Sequence, residues 1–173
     1  MKIIEYKTVS STQTAAKKLK SPRPWTIVLA QEQKSGYGRK KTGWFSPRGG
    51  LYFSVILPKS QIEDLQTLTI LAAFVVAQII KEDFGLEPFI KLPNDIYINQ
   101  KKVAGILTEN IFGKEIKLSV MGIGLNTNIE KVSKNLEKKA TSLRIELGKR
   151  IDDKKILRQI IDGLKKQLKT ISR

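Results

Sequence analysis

The chain of 173 residues contains neither cysteine nor histidine. Without thiols it cannot build a disulfide framework, a Cys-based zinc site or a Cys nucleophile, and without imidazoles it cannot assemble a Ser-His-Asp triad or an H-E-x-x-H metal site. Aromatic residues make up 7% of the chain, too few and too scattered for the base-stacking platforms of single-strand binders. The longest apolar run, Leu68 to Ile80, is interrupted by Gln78 and falls short of the roughly 20 residues that cross a bilayer. Met1 to Tyr6 carries Glu5 and lacks the apolar core of a secretory signal. These absences point to a cytoplasmic protein with no membrane partner. Any catalysis has to run on Lys, Arg, carboxylates, hydroxyls, amides and Mg²⁺.

What the chain has in excess is positive charge. Its 32 basic against 16 acidic residues give +16, which attracts anions without choosing among ATP, nucleic acid, an acidic protein and a membrane surface. Fourteen of the basic residues lie between Glu130 and Arg173, interleaved with six acids on helical sequence, so a solvated helix face accounts for much of the excess. Length and a 40% hydrophobic content suit one globular domain with a real core.

Short strands alternate with a few helices. Lys2 to Val9 alternates like a strand, and Ser10-Ser11-Thr12 can cap a helix running to Leu19. Thr26 to Ala30 and Leu51 to Leu57 are rich in β-branched and aromatic residues and read as strands. Ser60-Gln-Ile-Glu63 is a capping box for a long helix that Gly85 stops. Phe89 to Leu92, Asp95 to Ile98, Lys102 to Thr108 and Ile116 to Gly122 follow as strands, with turns at Asn99-Gln100 and Phe112-Gly113-Lys114. Asp152 to Ile171 is an amphipathic helix. The expected class is α+β, a mixed sheet packed against helices.

Five segments carry candidate chemistry. Gly36 to Trp44, G-Y-G-R-K-K-T-G-W, puts Arg39, Lys40 and Lys41 among three glycines expected to take positive φ and approach an anion closely. Ser10-Ser11-Thr12-Gln13 offers hydroxyls and an amide at a strand-to-helix junction, where helix capping is the competing explanation. K-L-P-N-D, Lys91 to Asp95, sets an amide and a carboxylate after an apolar strand, and turn chemistry competes there. K-K-V-A-G-I-L, Lys101 to Leu107, gains interest from its spacing to Asp95. With a two-residue loop at Asn99-Gln100, Tyr97 pairs with Lys102 and Asp95 with Ala104, leaving Asp95 and Lys102 diagonal on one face; a three-residue loop sends Lys102 to the other face. G-I-G-L-N, Gly122 to Asn126, ends a strand with glycines that admit a close neighbour.

In order, S-S-T-Q, the glycine loop with its flanks from Gln31 to Ser54, K-L-P-N-D, K-V-A-G-I-L-T-E and G-I-G-L-N-T-N resemble the catalytic domain of biotin protein ligases, from about Ile4 to Leu143. The resemblance implies a fold related to class II aminoacyl-tRNA synthetases and a two-step reaction. Biotin first joins the α-phosphate of ATP, releasing pyrophosphate, and a lysine of a biotin carboxyl carrier protein then takes the biotinyl group from AMP. It further implies Ser11, Thr12, Gln13, Gln33 and the Gly36-Tyr37-Gly38 backbone around the ureido head. Arg39 and Lys102 stand at the reacting carboxylate and phosphate, with Gly105 on the pocket floor. Trp44, Asn94, Asp95 and Asn126 serve the nucleotide, with Asp95 near Mg²⁺ or accepting a proton.

This chain departs from that pattern. The family loop reads G-R-G-R-x-G-R-x-W, so Tyr37 replaces its first Arg, while Lys41 and Thr42 stand where Gly and Arg are expected. Leu92 replaces a Trp. Residues 1–173 are expected to be one catalytic domain, without an amino-terminal DNA-binding domain or a carboxy-terminal small β domain, and a homodimer is expected by analogy. A ligase for lipoate or another acyl group stays open, as does an inactive relative that binds nucleic acid or protein; no specific nucleic-acid partner is expected.

Overall fold

L-Y-F-S-V-I-L, with six apolar residues in seven, has no face to offer water, and a computed structural model, which describes residues 2–58, 64–114 and 116–171, places it in mid-sheet with every residue buried. The elements are β1 (Ile3–Tyr6), α1 (Thr12–Lys17), β2 (Ile27–Ala30), β3 (Leu51–Leu57), α2 (Leu65–Phe84), β4 (Phe89–Lys91), β5 (Asp95–Ile98), β6 (Lys101–Phe112), β7 (Ile116–Leu125), α3 (Leu143–Leu147) and α4 (Asp153–Ile171). The strands form one sheet in the order β1-β2-β3-β7-β6-β5-β4. β1 and β2 are parallel and every other neighbouring pair is antiparallel, so the sheet is mixed.

Helices α2 and α4 cover one face. Leu68, Ala72, Val76 and Ile80 of α2 meet Ile156, Ile160, Leu164 and Leu168 of α4 in a core that includes Phe53, Val55, Ile106 and Ile123 of the sheet. Ile160 is fully buried, and truncating such a side chain costs about 2–5 kcal/mol. By length and composition α2 could cross a membrane; Leu68, Ala72, Val76 and Ile80 pack in this core, while Phe74 on another face is exposed. On the opposite face α1 covers only part of the sheet, through Ala16 against Val28, Ile56 and Val120. The uncovered part holds the site.

Several boundaries differ from expectation. β1 stops at Tyr6, and Val9 instead bridges Gln33, which draws the start of α1 toward the glycine loop. α1 ends at Lys17 rather than Leu19. The Ser60 to Glu63 capping box lies outside the described residues; α2 is capped by Asp64, whose carboxylate accepts from the N–H groups of Gln66 and Thr67. β6 and β7 are longer than expected because they pair with each other from Ala104 opposite Leu125 to Phe112 opposite Ile116. The unexpected α3 is five residues long, too short for periodicity to reveal, and is capped by Ser142 and stopped by Gly148 at φ 70°.

Asn99 and Gln100 both take positive φ, 49° and 64°, as a two-residue hairpin turn needs, and Tyr97 pairs with Lys102. Asp95, however, pairs with Gly105 and not with Ala104, because Val103 is inserted as a β-bulge. Regular alternation would point Lys102 and Gly105, three residues apart, to opposite faces. The bulge puts both beside Asp95 and sends Val103 and Ala104 together into the core.

Candidate functional site

The uncovered face of the sheet is short of side chains where it matters. Gly105 pairs directly with Gly124 across β6 and β7, and Gly122 pairs with Ser54 across β7 and β3. The trough these residues leave is walled by α1 and by the glycine loop, enclosing a cleft of about 280 Å³. Ser11, Thr12, Gln13, Gln33, Tyr37, Gly38, Arg39, Trp44, Asn94, Asp95, Lys102 and Gly105 all line it. Gly36 and Asn126, proposed from sequence with them, do not. Gly36 lies behind the wall, and Asn126 turns its amide away to donate to Thr141 O at 2.9 Å, leaving its buried Oδ1 without a partner.

One end of the cleft is polar and neutral. Ser11 both lines the cleft and caps α1, accepting from Thr14 N–H, so the two roles do not compete. Thr12 N–H donates to Gln33 Oε1 at 2.8 Å, and Gln13 Nε2 donates to Val120 O at 3.1 Å, which fixes both amide oxygens as acceptors. Between those acceptors run the hydroxyls of Thr12 and Ser54, with oxygen–oxygen contacts of 3.1, 3.0 and 2.9 Å. Two hydroxyls supply two protons for three contacts, so this chain of oxygens is one donor short. Sequence reading missed Ser54; its signal was a lone polar residue in an otherwise apolar strand.

The other end is charged. Lys102 Nζ lies 2.8 Å from Asp95 Oδ1, which also accepts from Asn94 Nδ2 at 2.8 Å. The same ammonium sits 4.9 Å from the centre of the Trp44 ring. Lys102 is held from behind as well: its N–H donates to Lys139 O and its carbonyl accepts from Thr141 N–H. Arg39 is exposed at the rim, and its guanidinium has no partner among the described residues. Asp95 is the one carboxylate lining the cleft, and no cluster of three metal-ligating side chains occurs among the described residues.

The glycines work by space rather than by φ. Gly36, Gly38 and Gly43 are not in the left-handed region, contrary to the sequence expectation; Lys40 and Lys41 are, at 54° and 60°. Each such non-glycine residue costs about 1–2 kcal/mol. Lys41 occupies the position where the family motif has Gly. A Cβ on Gly36 would lie 2.7 Å from Ser46 Oγ and 2.9 Å from Gln33 Nε2, which donates to that same Ser46 oxygen. On Gly124 it would meet Trp44 Nε1 at 2.5 Å, and on Gly122 it would meet Gln13 Oε1 at 2.6 Å. The close neighbours that G-I-G-L-N admits are thus Gln13 and the Trp44 indole, whose buried N–H has no partner.

The model of the biotin/lipoate A/B protein ligase family matches residues 5–126, more than half the chain. The bifunctional ligase/repressor BirA of Bacillus subtilis is 37% identical over 166 residues, covering 92% of this chain and 51% of that protein. The chain spans about half the length of the curated relatives it matches. The Aquifex aeolicus biotin protein ligase solved with biotin and ATP superimposes with a TM-score of 0.90 at 32% identity, covering 99% of this chain and 72% of that one. A bipartite lipoate protein ligase from Thermoplasma acidophilum, at 14% identity and a TM-score of 0.63, shares the fold alone. With the matched family model and the retained cleft, the chain belongs to the biotin/lipoate A/B protein ligase family.

Proposed function

We propose that this protein is an ATP-dependent biotin protein ligase, which makes biotinyl-5'-AMP and transfers the biotinyl group to a lysine of a biotin carrier protein. The observation that carries this reading is the two-ended cleft: a neutral polar end that lacks one hydrogen-bond donor and a cationic end built on Lys102 and Arg39. A ureido ring offers N–H donors and a carbonyl acceptor to the first end. A dithiolane offers neither and would leave the chain of oxygens from Gln33 through Thr12 and Ser54 to Gln13 one donor short, at about 1–3 kcal/mol. This favours biotin over lipoate within the family.

At the charged end, a carboxylate oxygen attacks the α-phosphorus of ATP and pyrophosphate departs with the P–O bonding pair. Two anions must approach, and cations fixed where charge accumulates lower that barrier without an enzyme nucleophile. Lys102, oriented by Asp95 and clamped through its backbone, supplies one cation; Arg39, unpaired at the rim, supplies the other. The amine of the acceptor lysine then attacks the acyl carbon and AMP leaves. Mg²⁺ would arrive with the polyphosphate: Asp95 alone cannot form an all-protein site, which agrees with the usual Mg²⁺ preference for one or two carboxylates plus phosphate and water. The reading extends to a cytoplasmic protein that pairs with a second copy.

The test is pyrophosphate release from ATP with biotin, compared with lipoate and octanoate, followed by transfer to a biotin carrier domain. Release with biotin alone is expected. Equal release with lipoate would overturn the assignment of the polar end.

A further inference from the structure

We infer that Lys17, Glu109 and Tyr37 form a latch that holds the glycine loop against the cleft before any ligand arrives, making all three positioning residues for the reaction proposed above. Lys17 is the last residue of α1, Glu109 lies on β6, and Tyr37 is the loop residue that stands in place of the family's first Arg. Lys17 Nζ is 2.6 Å from Glu109 Oε2 and donates to Tyr37 Oη at 3.3 Å; Tyr37 Oη donates in turn to Glu109 Oε2 at 3.2 Å. Both charged side chains are three-quarters buried, so solvent competes little for the contact. Lys41 Nζ also lies over the Tyr37 ring, 5.0 Å from its centre.

The loop's internal bonds give it shape: Gly38 N–H to Thr42 O and Trp44 N–H to Gly36 O, each 2.8 Å, with Tyr37 bridging Gly43. They do not fix where it sits. Its tip places no side chain in either hydrophobic core and carries the two left-handed lysines, so its position has to be set by contacts outside it. Trp44 seats the end of the loop on Gly105 and Gly124, and Tyr37 makes the outside contacts near its start, which Glu109 extends to the side chain of cleft residue Gln13. A loop fixed beforehand spares the ligand the entropy of ordering it.

The experiment compares Glu109→Gln, Tyr37→Phe and Lys17→Arg with the unaltered protein by hydrogen exchange at residues 36–44 without ligand, taking β3 as the internal reference. Loss of a charge-assisted bond predicts exchange about tenfold faster in the loop for Glu109→Gln and Tyr37→Phe, with β3 unchanged and Lys17→Arg protected. Steady-state kinetics should then show the biotin KM rising about tenfold for the first two variants, with kcat nearly unchanged. Loop exchange unaltered, or accelerated equally in β3, overturns the latch. The exchange arm uses no biotin, so failure of the unaltered protein to activate biotin would sink the proposed function while still leaving the latch decided by its own measurement.

Discussion

Lys102 Nζ lies 2.8 Å from Asp95 Oδ1 because the two-residue turn pairs Tyr97 with Lys102 and so keeps Lys102 on the face of Asp95, while the bulge at Val103 brings Gly105 opposite Asp95. The ion pair is partly exposed and adds little stability by itself. Lys102→Ala should leave the melting temperature nearly unchanged and lower the rate of pyrophosphate release by about 10²–10³, the usual loss when one preorganised charge-stabilising donor is removed. Unaltered release would take Lys102 out of the reaction.

Arg39 makes no side-chain bond within the described residues, so Arg39→Gly should not disturb folding. Its loss should slow pyrophosphate release and also let the adenylate escape into solution faster, seen as biotin labelling of bystander proteins. Arg39→Lys should restore retention only partly, since lysine lacks the planar fork.

The loop glycines separate by space. Gly36→Ala should break the Gln33–Ser46 contact and weaken biotin binding by about 1–3 kcal/mol, measured by titration calorimetry. A Cβ on Gly43 meets nothing within 4 Å, so Gly43→Ala should change stability by less than about 0.5 kcal/mol. Gly38→Ala, with its nearest atom at 3.4 Å, should behave like Gly43→Ala.

Burial alone would push the Glu109 carboxyl up, but hydrogen bonds from Lys17 and Gln13, the Lys17 charge and Tyr37 outweigh it and hold the group below its ordinary 4.5. For Lys17 burial acts downward, and the bonds to Glu109 and Tyr37 leave it above 10.5. A depressed acid stabilises the fold above its unfolded pKa and loses that contribution as pH falls through the folded value; a raised base stabilises below its unfolded pKa and loses it as pH rises through the folded value. The pair therefore contributes fully between about 4.5 and 10.5. Urea denaturation should show Glu109→Gln losing most stability, relative to the unaltered chain, at neutral pH, with the two converging in acid below 4.5. A gap that persists undiminished in acid would contradict the assignment.

Much of the site was legible as local pattern. The polar cluster at Ser11 to Gln13, the loop at Gly36 to Trp44, and the pairing of Tyr97 with Lys102 follow from residue types and turn length, because hairpin register is set by a few adjacent residues. Ser54 stood out as the lone polar residue of an apolar strand, but its place in the cleft was not legible, since a serine within a strand looks the same whether it faces solvent, core or cleft. The Val103 bulge left no mark either: inserting one residue is decided by packing two consecutive small apolar side chains, Val103 and Ala104, under α2.

By itself, then, the sequence determined the chemistry at hand: no imidazole or thiol, cations on a glycine-rich loop, and the order of strands and helices, all of which depend on residue identity and near neighbours. Only the tertiary structure decided which groups meet. It turned Asn126 away from the cleft toward Thr141, gave the left-handed angles to Lys40 and Lys41 instead of the glycines, and joined Lys17, Tyr37 and Glu109 across separations of 20 and 72 residues. Contacts at such separations depend on how the sheet and its helices pack, and no local stretch of sequence records that.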